Sequence, residues 1–151
     1  MRFEQTRDIL NHAREFHRQV SQLYKRLSDK AEKKRVRMLL DYMSRHESNL
    51  EKSMARFQEQ TSKEVLDTWF SYTHDEDTLA LCRNTELEPG MTVDEVVRAA
   101  LRLDDCLTKL YREVAECTDC NEVREIFKNL LALEEKEKSK LARNAQLLLD
   151  V

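Results

Sequence analysis

Turn-forming residues are nearly missing from this sequence. Among its 151 residues there is one glycine, Gly90, and one proline, Pro89, and the two are adjacent. Strands must be joined by tight turns built on such residues, so a sheet-based architecture of this length is excluded. Long apolar runs are also lacking. The opening MRFEQTRDIL has no apolar signal core, and no later stretch could cross a bilayer. The expectation is a soluble, cytoplasmic chain with no membrane partner. Nor is there an excess of one charge: 26 Lys and Arg interleave with 29 Asp and Glu, for a formal net charge of −3. The most basic run, Lys30 to Arg37, contains Glu32 and sits at an expected helix start, so no nucleic-acid partner is expected. Four cysteines without secretory context are expected to be reduced thiols.

What is abundant is Leu, Ala, Glu, Lys, Arg and Gln, all good helix formers. The expected fold class is all-α, in a single domain over 1–151 with one hydrophobic core. Four long helices are expected over about 3–29, 32–60, 93–117 and 120–149. In the first, Ile9, Leu10, Ala13, Phe16, Val20, Leu23, Tyr24 and Leu27 keep the three-and-four spacing of one helical face. The second carries Val36, Leu39, Leu40, Met43, Leu50, Met54 and Phe57 in the same rhythm. Residues 61–92 lose it and read as a crossover, with a short helix near Glu64 to Phe70 and the acidic run Asp75-Glu76-Asp77. Thr92-x-x-Glu95 is a capping box that opens the third helix.

The two halves align without a gap. Tyr24 and Tyr111 stand 87 positions apart, and the same offset pairs Ala13 with Ala100, Val36-Arg37 with Val123-Arg124, and Glu47 with Glu134. Two equivalent hairpins joined by a crossover make a four-helix bundle with pseudo-twofold symmetry.

Polar residues in phase with the apolar stripe need a reason, because a bundle core should be apolar. His17, Glu47, Asp104, Glu134 and Glu137 are in phase on the four helices. The offset equates His17 with Asp104 and Glu47 with Glu134. Converging carboxylates repel unless a cation or protons neutralise them, and a carboxylate and imidazole donor set suits iron or manganese.

With these residues in view, the sequence resembles the ferritin-like superfamily, its rubrerythrin-like branch most of all. In that branch each hairpin supplies a Glu from its first helix and Glu-x-x-His from its second, and a Tyr lies seven positions after the first ligand. Tyr24 and Tyr111 keep that spacing after His17 and Asp104. The metal motif is degenerate: His17 and Asp104 replace Glu, Leu50 deletes one His, and Glu137 replaces the other. The resemblance covers about 10–60 and 93–148. It implies a variant site for iron or manganese formed by Glu47, Asp104, Glu134, Glu137 and His17, with a redox or metal-handling role, and a homodimer.

Two other readings of the same residues stay open. The site can be abandoned, its polar groups bonding to one another or to Tyr24 and Tyr111; the bundle is then a metal-free protein-interaction or stress-related accessory module. Alternatively, a slip in helical phase leaves some of these groups solvated. In the metal-free case, Glu134→Ala is expected to be neutral or stabilising, because it relieves repulsion between carboxylates. Tyr24 and Tyr111 read as core aromatics with partnered hydroxyls. Cys117-x-x-Cys120 reads as incidental thiols, since zinc needs about four ligands. His12, His46 and His74 are assigned no role, and Trp69, Phe70 and Tyr72 are expected to cover a bundle end or a dimer interface.

Overall fold

The three-and-four apolar spacing draws the chain into helices whose stripes must be buried against one another. The computed structural model describes residues 2–72, 88 and 90–149. Its helices are α1 (Thr6–Lys30), α2 (Lys34–Gln60), the short α3 (Lys63–Leu66), α4 (Val93–Cys117) and α5 (Asn121–Leu149). The four long ones coincide with the expected helices to within three residues at every end. At the start of α4, the Thr92 hydroxyl accepts the Glu95 backbone N–H at 3.2 Å, as the capping box requires. His74, Asp75-Glu76-Asp77, Cys82 and Pro89 lie outside the described residues.

One local expectation fails. The first helix begins at Thr6 because the preceding residues pair as a strand. β1 (Arg2–Gln5) runs antiparallel to β2 (Trp69–Tyr72), in register from Arg2 opposite Tyr72 to Gln5 opposite Trp69. The same pairing ends the short helix at Leu66 instead of near residue 70. Two contacts fasten the ribbon to the bundle. The Thr6 N–H donates to the Thr68 carbonyl at 3.0 Å, and Arg7 pairs with Asp67 at 2.7 Å. Two strands of four residues leave the architecture a helical bundle.

Side-chain pairs fix the directions of the helices. Asn11 bonds to Gln58, Arg14 to Glu51 and Ser28 to Asp41, so α1 and α2 run antiparallel. Between them, Ser21 and Ser44 each donate a hydroxyl to the other's backbone carbonyl, at 2.7 and 2.9 Å. Lys138 pairs with Asp105 and Arg124 reaches the Ala115 carbonyl, so α4 and α5 are antiparallel as well. The hairpins meet where Asn144 donates to the Tyr42 hydroxyl at 2.9 Å and where Tyr111 meets Met54. Buried Phe16, Tyr24, Leu39, Leu103, Tyr111 and Phe127 belong to one core shared by both hairpins. Each such side chain contributes about 1.5–3 kcal/mol by leaving water.

The internal repeat extends to the turns. Ala31 and Thr118 cap the C-termini of α1 and α4 and are themselves 87 positions apart. Arg37 donates to the Ala31 carbonyl at 3.1 Å, and Arg124 donates to the Thr118 carbonyl at 2.6 Å. The matched Val-Arg pairs are therefore matched devices. Each guanidinium satisfies a carbonyl that the end of a helix leaves without an amide partner.

Candidate functional site: the polar centre of the bundle

His17 follows Phe16 on the inward face of α1, so the helix drives its ring into the core, where it is 0% exposed. There it meets one carboxylate from each hairpin. Nδ1 lies 2.5 Å from Glu47 Oε2 on α2, and Nε2 lies 3.0 Å from Glu134 Oε1 on α5. The first contact is a hydrogen bond. The second is an ion pair by distance, with Nε2 not aligned for a directed hydrogen bond. Glu47 and Glu134 are both buried, and they occupy equivalent places in the repeat.

Burial alone would lower the basicity of His17, since a charged ring loses its hydration. The Glu47 and Glu134 carboxylates outweigh that loss, and the ring's pKa is pushed up to about 10. His17 is therefore an imidazolium at neutral pH, a positive charge held between two buried acids.

Asp104, also buried, faces the same centre from α4. Burial raises its pKa well above the ordinary value, and Glu47 and Glu134 raise it further; His17 and Lys138 oppose them. It holds its proton where an exposed aspartate would have lost it. The two tyrosines are fully buried. Burial first, then the nearby carboxylates, raise both phenols, so they stay neutral. The Tyr111 hydroxyl points at Met54 Sδ, 3.9 Å away, as expected of a core aromatic whose hydroxyl has a partner.

Glu137 is placed differently from the other four expected ligands. Its Oε2 lies 2.9 Å from His46 Nε2, and its Oε1 lies 3.5 Å from Lys140. That Oε2 is buried without a directed hydrogen bond. His46, to which sequence reasoning gives no role, stacks on Tyr42 with centroids 5.9 Å apart. The signal available for His46 is its position beside Glu47; its meeting with Glu137 depends on how α2 crosses α5. Tyr24, Tyr42, His46, Asp104, Glu134 and Glu137 line a cavity of about 10 Å³, room for roughly one water molecule. An organic substrate does not fit there.

The structure thus brings His17, Glu47 and Glu134 into direct contact, sets Asp104 beside them and turns Glu137 toward His46. The donor types would suit an oxygen-seeking divalent ion. Their arrangement does not. Among the described residues, no three His, Cys, Asp or Glu side chains are placed to share a metal ion. The His17 ring takes one oxygen of Glu47 on Nδ1 and one of Glu134 on Nε2, so these two acids are already engaged by a group of the chain.

Elsewhere, a wider open groove of about 460 Å³ runs past Arg7 and Arg14, but Asp67 and Glu51 pair with these two cations. Cys117, the last residue of α4, and Cys120, in the turn before α5, are free thiols. Cys106 is disulfide-bonded, which corrects the expectation that all four cysteines are reduced. Trp69, expected to cover a bundle end or a dimer interface, is 60% exposed in the single chain. No helix among the described residues is long and apolar enough to cross a membrane.

No protein-family model and no curated protein matches the sequence. A solved structure does match in shape. It is that of a Thermotoga maritima protein provisionally described as a ferritin-like diiron-carboxylate protein. The TM-score is 0.62 at 17% identity, over 97% of each chain. At that identity the likeness concerns the fold, and the chain is ferritin-like in its fold.

Proposed function

We propose that this chain is a ferritin-fold bundle that works without a resident metal, as a module for binding protein chains. The observation that carries the reading is the ring of His17, with one nitrogen on Glu47 and the other on Glu134. Charge that a metal could otherwise balance is balanced by the chain itself. The centre is closed to an organic substrate, and the unused apolar surface lies outside. Met38, Phe57, Trp69, Leu133 and Leu147 are exposed. Leu133 and Leu147 are nearly four turns apart along α5 and share a face. A second copy of the chain is the partner this reading favours, giving a homodimer.

A second reading has iron or manganese in a variant carboxylate and histidine site, with a redox or metal-handling role. Two observations favour it: the diiron-carboxylate description of the Thermotoga maritima protein, and the buried Glu137 Oε2 that lacks a directed hydrogen bond. Elemental analysis of protein purified without chelators, together with melting in added manganous or ferrous ion, separates the two. The metal-free reading predicts substoichiometric metal and an unchanged melting temperature. Stoichiometric iron or manganese, or a melting temperature raised by either ion, would establish the second reading.

A further inference from the structure

We infer that the ring of His17 stands in for a divalent cation, and that a carboxylate at this position would open the centre of the bundle to a metal ion. The inference rests on the metal-free reading above and deepens it by naming the residue that excludes the metal. Position 17 is the place on α1 that corresponds to Asp104 on α4. An acid there would give every long helix one carboxylate at the centre: positions 17, 47, 104 and 134. Among the described residues no lysine or arginine is paired with Glu47, Asp104 or Glu134. Lys138 pairs with Asp105 and Glu135 and opposes the raised Asp104 pKa without an ion pair to it, and Lys140 pairs with Glu137. Four buried acids would then need protons or an ion, and oxygen donors of this kind suit manganous or ferrous ion. In the native chain the ring fills that place, with Nδ1 2.5 Å from Glu47 Oε2 and Nε2 3.0 Å from Glu134 Oε1.

The test uses the full chain with manganous ion alone as the probe. Wild type, His17→Glu and His17→Gln are each melted in EDTA and in excess manganous chloride, and bound manganese is measured after desalting. His17→Gln keeps much of the side-chain bulk and loses the charge, so it serves if His17→Glu does not fold in EDTA. The wild type is expected to ignore the ion. His17→Glu is expected to melt lower in EDTA, or to be unfolded there. It should gain at least one bound manganese per chain and recover about 5–10 °C in melting temperature at 100 times the dissociation constant. His17→Gln should respond in the same direction and less. A manganese response in either variant, absent from the wild type, supports the inference. If wild type and both variants all ignore manganese, with His17→Gln folded or neither variant refolding in the ion, the inference falls and the metal-free reading stands. A wild type that itself takes up manganese and melts higher overturns the metal-free reading and removes the basis of the inference.

Discussion

His17 holds one positive charge in the buried core, and its two neighbours decide whether that is tolerable. Removing one partner of a buried pair costs more than the pair itself contributes, because the remaining charge is left without hydration or partner. His17→Ala should therefore destabilise the bundle by about 3–5 kcal/mol, as Glu47 and Glu134 would then face each other unopposed. Glu134→Gln, which leaves His17 paired with Glu47, should cost less, about 1–3 kcal/mol. Chemical denaturation in EDTA measures both, and a His17→Ala variant as stable as the wild type would contradict the account. This geometry also changes an expectation from the sequence. Glu134→Ala no longer relieves repulsion between bare acids; it removes a partner from a buried cation and should destabilise with or without metal.

The same residues set a pH dependence. His17 binds its proton more tightly folded, at about 10, than at its ordinary 6.5. Its stabilisation is complete below 6.5 and is lost as the pH rises toward 10. The raised Asp104 has the same sign, since it too holds a proton that the unfolded chain releases. Between pH 6.5 and 10 stability should fall by on the order of 1 kcal/mol per pH unit from His17. Melting temperatures across that range should fall more steeply for the wild type than for His17→Gln.

At the scale of elements, each hairpin turn is held by an arginine. Arg37→Ala and Arg124→Ala each strip a helix-terminal carbonyl of its donor, at a cost of about 1–3 kcal/mol, and equilibrium denaturation of each variant checks it. A loss within error at both sites would mean that the carbonyls simply rehydrate. These arginines also show what the sequence makes legible. Helix spans, the 87-residue repeat and the inward phase of His17, Glu47, Asp104 and Glu134 all follow from local spacing, and local spacing is what a helix obeys. The β1–β2 ribbon was not legible. Its strands are four residues each and about 65 positions apart, too short for alternation to show. The partner of Glu137 was hidden for a different reason. Its contact with His46 joins two hairpins, and no spacing along one helix encodes how another helix crosses it. Depth was hidden as well: phase turns His17 inward without saying that its ring reaches both Glu47 and Glu134.

For the molecule as a whole, the four long helices bring His17, Glu47, Asp104 and Glu134 to one buried centre, and on the proposed metal-free reading the chain balances that centre with its own charges. The apolar residues left outside, Trp69 and Leu147 foremost, then become the surface to explain. If α5 contributes to a homodimer interface, Leu133→Glu with Leu147→Glu should shift the mass seen by light scattering from two chains to one while leaving the melting temperature nearly unchanged. A wild type that is a single chain across micromolar concentrations would remove the dimer from the account.

On the metal-free reading a protonated His17 holds Glu47 and Glu134 together. The most direct measurement is the nitrogen-15 NMR titration of the His17 ring in EDTA-treated protein. Near pH 8 both ring nitrogens should still carry protons, with the ring losing one only near pH 10. A ring that titrates near 6.5, or carries a single proton at pH 8, would contradict it.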